Sequence, residues 1–172
     1  FEVVEARWLF GLAPEQIDVL IHPASIVHSM VEFADGAIKA QMGTPDMRVP
    51  IAYALSFPER LPLPEGFGRL EIEQQTPLSF AHVEQERYPA LSLVGECMAA
   101  GGTALCAFNA ANEVAVEAFL AGRIAFTDMV KVIGSALQTI PENAKPTLEE
   151  YMECNTRTKA DARKFITHII RN

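Results

Sequence analysis

A chain of 172 residues with a net charge of -8 and a pI near 5.0 argues against a nucleic-acid partner, whose backbone calls for a basic face. The length suits one ordinary domain, or a small domain plus part of another, and 49% hydrophobic content is that of a globular chain. No run approaches the roughly 18 apolar residues of a membrane span, so neither a membrane partner nor a signal peptide is expected. Cys97, Cys106 and Cys154 are an odd number without a Cys-x-x-Cys spacing. They read as reduced thiols of a cytoplasmic protein. An acidic chain still binds a phosphorylated small molecule where cations or helix N-termini are placed locally.

In chain order, residues 1–10 have helical periodicity, with apolar residues at 1, 4 and 8 and at 3 and 10 predicting one broad buried stripe. No N-cap residue stands in front, and Gly11 sits where a helix C-terminus favours Gly. The expectation is a fragment that begins inside a helix of a longer protein. Residues 17–21 form a compact apolar strand stopped by His22-Pro23, since the residue before Pro is pushed to extended backbone. Strands over 26–33 and 37–42 follow, joined by a hairpin at Ala34-Asp35-Gly36. Their apolar residues fall on both faces, which predicts a sheet covered by helices.

Residues 46–57 read as a helix with Met47, Ile51, Ala54 and Leu55 on one stripe, Pro50 being tolerable only near its first turn. Pro58, Pro62, Pro64, Gly66 and Gly68 then give a linker composition, with 70–73 as one short strand and 77–87 irregular. Pro89 opens a helix to Ala100, stopped by Gly101-Gly102. Thr103 is placed to cap a second helix to Leu120, closed by Gly122, and a third starts at 126–128 and runs to about Thr139. Thr147-Leu148-Glu149-Glu150 has the spacing of a capping box, and a last amphipathic helix spans 158–170. The fold class is therefore α+β: the remnant of a helix-covered sheet, then a small four-helix, bundle-like domain. The expected division is 1–56 for the sheet part, 57–82 for the linker and 83–172 for the helical domain.

Glu2 and Glu5 lie three apart on one helix face. Two such carboxylates suit a hard divalent cation, though a solvated acidic face has the same pattern. His22 and His28 read as hydrogen-bonded histidines at strand ends. Gly43-Thr44-Pro45-Asp46 leads into a helix N-terminus, which either holds an anion or is capped by Asp or Thr. Asn109 and Glu113 sit inside an otherwise apolar helix; interhelical hydrogen bonds that set the bundle register are the favoured reading over a ligand patch.

Four segments together carry a resemblance: Glu-Val-Val-Glu-Ala-Arg-Trp-Leu-Phe at 2–10, Ile-His-Pro-x-Ser-Ile-Val-His-Ser-Met-Val at 21–31, Gly-Thr-Pro-Asp-Met-Arg-x-Pro-Ile at 43–51 and Asn-Ala-Ala-Asn-Glu-Val at 109–114. In order and spacing they resemble the C-terminal portion of the 1-deoxy-D-xylulose 5-phosphate reductoisomerases. The resemblance implies part of the catalytic domain followed by the C-terminal helical domain. It implies conversion of 1-deoxy-D-xylulose 5-phosphate to 2-C-methyl-D-erythritol 4-phosphate in isoprenoid precursor synthesis (the MEP pathway), with NADPH and Mg²⁺, Mn²⁺ or Co²⁺. It also implies inhibition by phosphonate hydroxamates such as fosmidomycin, and a homodimer of the full-length enzyme. Residue by residue, Glu2 matches a metal carboxylate beside the substrate and Glu5 an auxiliary group. His28 matches a histidine near the active site, and Pro45 and Met47 match residues lining the substrate pocket. The other metal carboxylates, the nucleotide-binding domain and an Asn-Lys pair are implied upstream, so no NADPH-binding residue is expected here. The alternative is a helical interaction module that retains the family sequence without its chemistry.

Overall fold

A computed structural model describes residues 1–172 except 63, 65, 66, 75, 76, 139–144 and 172, and the side chain of Arg171. The described residues contain six α-helices and four short strands. They fall into two compact units, one of residues 1–18 with 84–172 and one of residues 19–83. This partition differs from the expected division at 57 and 82. The first helix groups with the C-terminal helices, and the Pro-rich stretch is enclosed in the second unit.

In the first unit, α1 (Glu2–Phe10) closes at Gly11, whose φ of 65° is the left-handed conformation that Gly adopts without a Cβ clash. Its predicted broad stripe is narrower in fact. Val3 and Val4 are half-buried, but Trp8, Leu9 and Phe10 are all exposed. Helices α3 (Pro89–Ala100), α4 (Ala104–Leu120), α5 (Asp128–Leu137) and α6 (Leu148–Arg171) make the bundle, with Pro89 in the first turn of α3 as read from sequence. The expected third-helix end at Thr139 lies outside the described residues.

Helix α4 is the centre. It packs against α3, α5 and α6, and Ala107, Ala110, Ala111, Ala115 and Ala118 on it have no exposed surface. A helix crowded on three sides is kept thin by Ala, which also has the highest helix propensity. With Val114 of its own, α4 packs against Val94, Val132, Ile133 and Ile166 of its neighbours. Thr103 does not cap α4 with its side chain; it is buried, and its carbonyl accepts the Ala107 N–H at 2.9 Å.

The capping box at Thr147 is present. The Thr147 N–H donates to Glu150 Oε2 at 2.7 Å, and the Glu150 N–H donates to Thr147 Oγ1 at 3.3 Å. It opens α6 ten residues before the helix expected at 158. Polar residues at 153, 155, 156 and 157 hide the pattern, but Cys154, Thr158, Ala162 and Ile166 recur every four residues and are all buried. Asn109 Nδ2 donates to Glu113 Oε1 at 2.8 Å, and Lys159 of α6 pairs with Glu113 Oε2 at 2.5 Å. The carboxylate, held by the amide one turn before it, thus joins α4 to α6, as the register reading predicts.

In the second unit, β2 (Val27–Glu32) and β3 (Ile38–Met42) form an antiparallel hairpin. Its turn uses Gly36 at φ 82°, and Asp35 Oδ1 accepts the Ala37 N–H at 3.0 Å. The strand predicted over 17–21 shortens to β1 (Leu20–Ile21), which pairs with β4 (Ala81–His82). That second pairing lies in a stretch expected to be irregular, because two residues carry no readable period. No strand forms at 70–73, where one was expected; a single 3-10 turn spans Ile72–Gln74. The predicted cover on both sheet faces is not provided: Met30, Val31, Phe33 and Ile38 of the hairpin are exposed. In α2 (Arg48–Ser56), the half-buried side is Val49, Ala52 and Tyr53, and Ile51 and Leu55 of the predicted stripe are exposed.

Ile166 is among the largest fully buried side chains. Ile166→Ala is therefore expected to cost about 2–5 kcal/mol through lost burial and a residual cavity, and Thr147→Ala about 0.5–2 kcal/mol through the lost cap. Urea unfolding followed by circular dichroism measures both. A larger loss for Thr147→Ala than for Ile166→Ala would contradict the placement of the core.

Candidate functional site

The expected site residues are divided between the two units. Glu2 and Glu5 lie in the first, on the opening turns of α1. His28, Pro45 and Met47 lie in the second.

Both glutamates are exposed. The Glu2 carboxyl is held below the usual carboxylate range, first by a backbone N–H hydrogen bond at residue 2. It is thus ionised at neutral pH. An ionised carboxylate oxygen is a hard donor of the kind that Mg²⁺ takes. Among the described residues no three His, Cys, Asp or Glu side chains are gathered to hold a metal. The donor chemistry therefore fits one or two positions of a larger ligand set. Helix α1 is seated by Val4, which packs on the helical core, and by the Phe1 ring, edge-on to Phe108 at 5.7 Å.

In the second unit the structure brings His28 to the Gly43–Met47 loop. Val27 pairs with Met42 and Ser29 with Gln41, so His28 is an extra residue, a β-bulge. A bulge breaks the alternation of side chains and re-aims one of them. The His28 ring is turned over the end of β3: a Cβ placed on Gly43 would stand 3.7 Å from His28 Nε2. That is ordinary van der Waals contact, which places the ring beside Gly43. The Gly43 N–H is bonded to the Ile26 carbonyl at 3.0 Å, which anchors the loop to the start of β2.

Beyond Gly43 two polar ties hold the loop. Thr44 Oγ1 donates to the Gly68 carbonyl at 2.9 Å. Asp46 takes the Arg48 backbone N–H on Oδ1 at 3.0 Å, and the Arg48 guanidinium through Nε at 2.9 Å and Nη2 at 2.5 Å. The guanidinium also lies over the Phe67 ring at 4.1 Å. Asp46 therefore caps the start of α2, as one reading of the sequence holds, and the anion at that end is its own carboxylate. Between these ties Pro45 and Met47 are left exposed, Met47 at 70%. The clamp of Thr44, Asp46, Arg48 and Phe67 was not assigned from sequence. Its one local signal is the Asp-x-Arg spacing; Phe67 and Gly68 lie about twenty residues away.

His22 is structural. Its Nδ1–H donates to the Ser79 carbonyl at 2.7 Å, since a carbonyl only accepts, and its ring stacks on Phe80 at 4.6 Å.

The fold is α+β with a helical C-terminal unit, and that fold has known counterparts. The family profile of the DXP reductoisomerase C-terminal domain matches residues 42–161. The reductoisomerase of Paraburkholderia xenovorans is 45% identical over 168 residues, covering 98% of this chain and 41% of the relative. That of Phocaeicola vulgatus is 46% identical over 170 residues, covering 99% of this chain and 43% of the relative. The Zymomonas mobilis reductoisomerase in complex with NADPH superposes with a TM-score of 0.84 at 36% identity, over 96% of this chain and 43% of that one. A reductoisomerase in complex with NADPH, fosmidomycin and magnesium gives 0.85 at 36% identity, over 98% of this chain and 43% of that one. The chain belongs to the 1-deoxy-D-xylulose 5-phosphate reductoisomerase family and spans 41–43% of the length of these curated relatives.

The Arg48 pairing lowers the Asp46 carboxyl from 3.8 to about 2, the guanidinium hydrogen bonds acting first and the Arg48 backbone N–H second. The sign follows: the folded value lies below the unfolded one, so the stabilisation is full above the unfolded value and is lost as pH falls through about 2. A carboxyl-carbon NMR titration of Asp46 is expected to give a midpoint near that value, rising toward the ordinary range in Arg48→Met. A midpoint unchanged by Arg48→Met would contradict the clamp.

Proposed function

We propose that this chain supplies the C-terminal share of a reductoisomerase that converts 1-deoxy-D-xylulose 5-phosphate to 2-C-methyl-D-erythritol 4-phosphate. The observation that carries this reading is 45% identity to a named reductoisomerase along 98% of the chain. The activity needs NADPH and a divalent cation, Mg²⁺, Mn²⁺ or Co²⁺, and related reductoisomerases form complexes with NADPH, fosmidomycin and magnesium. The working enzyme is a cytoplasmic homodimer of the full polypeptide. NADPH is held by parts of the relatives that lie outside the matched span.

Each residue has a role its chemistry permits. Glu2 brings an ionised oxygen donor and, with Glu5 as an auxiliary one turn on, would help hold the cation. When bound, the cation supplies Lewis-acid polarisation of the substrate carbonyl. Glu2 also faces the substrate's hydroxyl groups, for which a carboxylate is an acceptor. His28, re-aimed by its bulge, donates a hydrogen bond to a substrate oxygen and sets its orientation. Pro45 and Met47 close an apolar wall against the carbon skeleton and exclude water from it. Helices α3 to α6 hold no reacting group on this reading; they seat α1 and so Glu2.

Two outcomes test the proposal. In the full-length enzyme, Glu2→Gln keeps size and hydrogen bonding but removes the anionic donor. It is expected to abolish most turnover with the fold intact, while Glu5→Gln costs less and His28→Ala falls between, through substrate positioning. Steady-state kinetics across a Mn²⁺ titration, with circular dichroism as the fold control, reads this. Near-normal activity and metal dependence in Glu2→Gln would contradict it. The 172-residue chain alone is expected to show no substrate-dependent NADPH oxidation, because it carries only part of the ligand set. Turnover by the pure chain would refute the division of labour.

A further inference from the structure

Two of the three thiols, expected from sequence to be reduced, meet across the bundle. Cys106 stands in the first turn of α4 and Cys154 in the second turn of α6. Cys106 Sγ donates to the Tyr151 carbonyl at 3.5 Å and lies against the backbone N–H of Asn155. Those two groups are successive partners in the α6 hydrogen-bond ladder and bracket Cys154 on its own helix. The relation is reciprocal: Cys154 Sγ reaches the Thr103 carbonyl at 3.8 Å, one turn before Cys106 on α4. The two thiols are close enough for Cys154 to act on the Cys106 thiol, and neither is in a disulfide. The crossing is framed by the Tyr151 hydroxyl, which donates to the Gly102 carbonyl at 3.1 Å, and by the Lys159–Glu113 pair. Cys106 is half-buried and reachable; Cys154 is only 5% exposed, and Cys97 is 3% exposed on α3.

We propose that Cys106 and Cys154 are a redox-active dithiol, a modification site that closes to an intramolecular disulfide tying α4 to α6 when a small-molecule disulfide is in excess. The Cys106 thiol loses its proton and attacks the oxidant's S–S bond, forming a mixed disulfide and releasing one small thiol. The Cys154 thiol then loses its proton and attacks Cys106 Sγ, forming the protein disulfide and releasing the second small thiol. Two protein thiols are oxidised and one small disulfide is reduced. Burial, then the neighbouring Cys154, pushes the Cys106 thiol up, so the first step is slow at neutral pH. The second is fast because its nucleophile is already in place. This site is independent of the reductoisomerase reading, and its test involves no turnover.

The folded 172-residue chain is incubated with oxidised glutathione at mildly alkaline pH, alkylated, digested and mapped by mass spectrometry. The expected product is a linked peptide pair joining Cys106 to Cys154, lighter by two hydrogens than the two thiol peptides and reversed by dithiothreitol, with Cys97 still alkylated after denaturation. Cys154→Ser is expected to stop at a glutathione adduct on Cys106, and Cys106→Ser to leave Cys154 unmodified. A stable glutathione adduct on Cys106 in the unsubstituted chain, or a disulfide that involves Cys97, would overturn the proposal; so would no oxidation of Cys106 at all. The unsubstituted chain decides the outcome even if a variant fails to fold.

Discussion

Close approach to α4 is the constraint on which the helical unit depends. Three helices crowd it, and each substitution of a buried Ala by a larger residue would push one of them outward, because interiors are packed to crystal density. The consequence reaches past the bundle. Phe108 of α4 receives the edge of Phe1, and the same core receives Val4. These two contacts seat the start of α1, where Glu2 stands. Helices with no reacting group of their own in the proposed chemistry thereby set where the Glu2 carboxylate can be.

The second unit solves a different problem with polar ties. Few of its side chains are buried; Ile26 alone among its described residues is below a tenth exposed. An apolar core cannot hold the Gly43–Met47 loop, so hydrogen bonds do: Gly43 to Ile26, Thr44 to Gly68, Asp46 to Arg48. Individually these are exposed and modest. Together they restrict the short loop while its apolar residues, Pro45 and Met47, stay uncovered. A loop rigid in its backbone and apolar in its free surface is suited to receive a ligand rather than to pack on its own unit.

Signals that use one or two neighbouring residues were legible in the sequence. Gly11 and Gly36 close a helix and turn a hairpin as read, the Thr147–Glu150 box forms as read but opens a helix expected only from 158, and Glu113 of the Asn109–Glu113 patch makes an interhelical contact of the kind foreseen for it. Signals that depend on distant partners were not. Nothing near Leu20 or Ala81 announces their pairing, and nothing near His28 announces its bulge. The stripes on α1 and α2 misled for a physical reason: periodicity says which side of a helix is apolar, not whether this chain covers it. Trp8, Ile51 and Leu55 are apolar and exposed. The candidate site was legible only by resemblance, since two glutamates three apart and one histidine are compatible with an ordinary solvated surface.

The most direct test of the account is where the metal goes. Crystals of the full-length enzyme grown with Mn²⁺ and diffracted at the manganese edge would locate the ion independently of kinetics. The account predicts an anomalous peak with a Glu2 carboxylate oxygen at coordination distance, about 2.0–2.2 Å for a small hard cation. A fully occupied peak at the substrate site with Glu2 turned to solvent would contradict it.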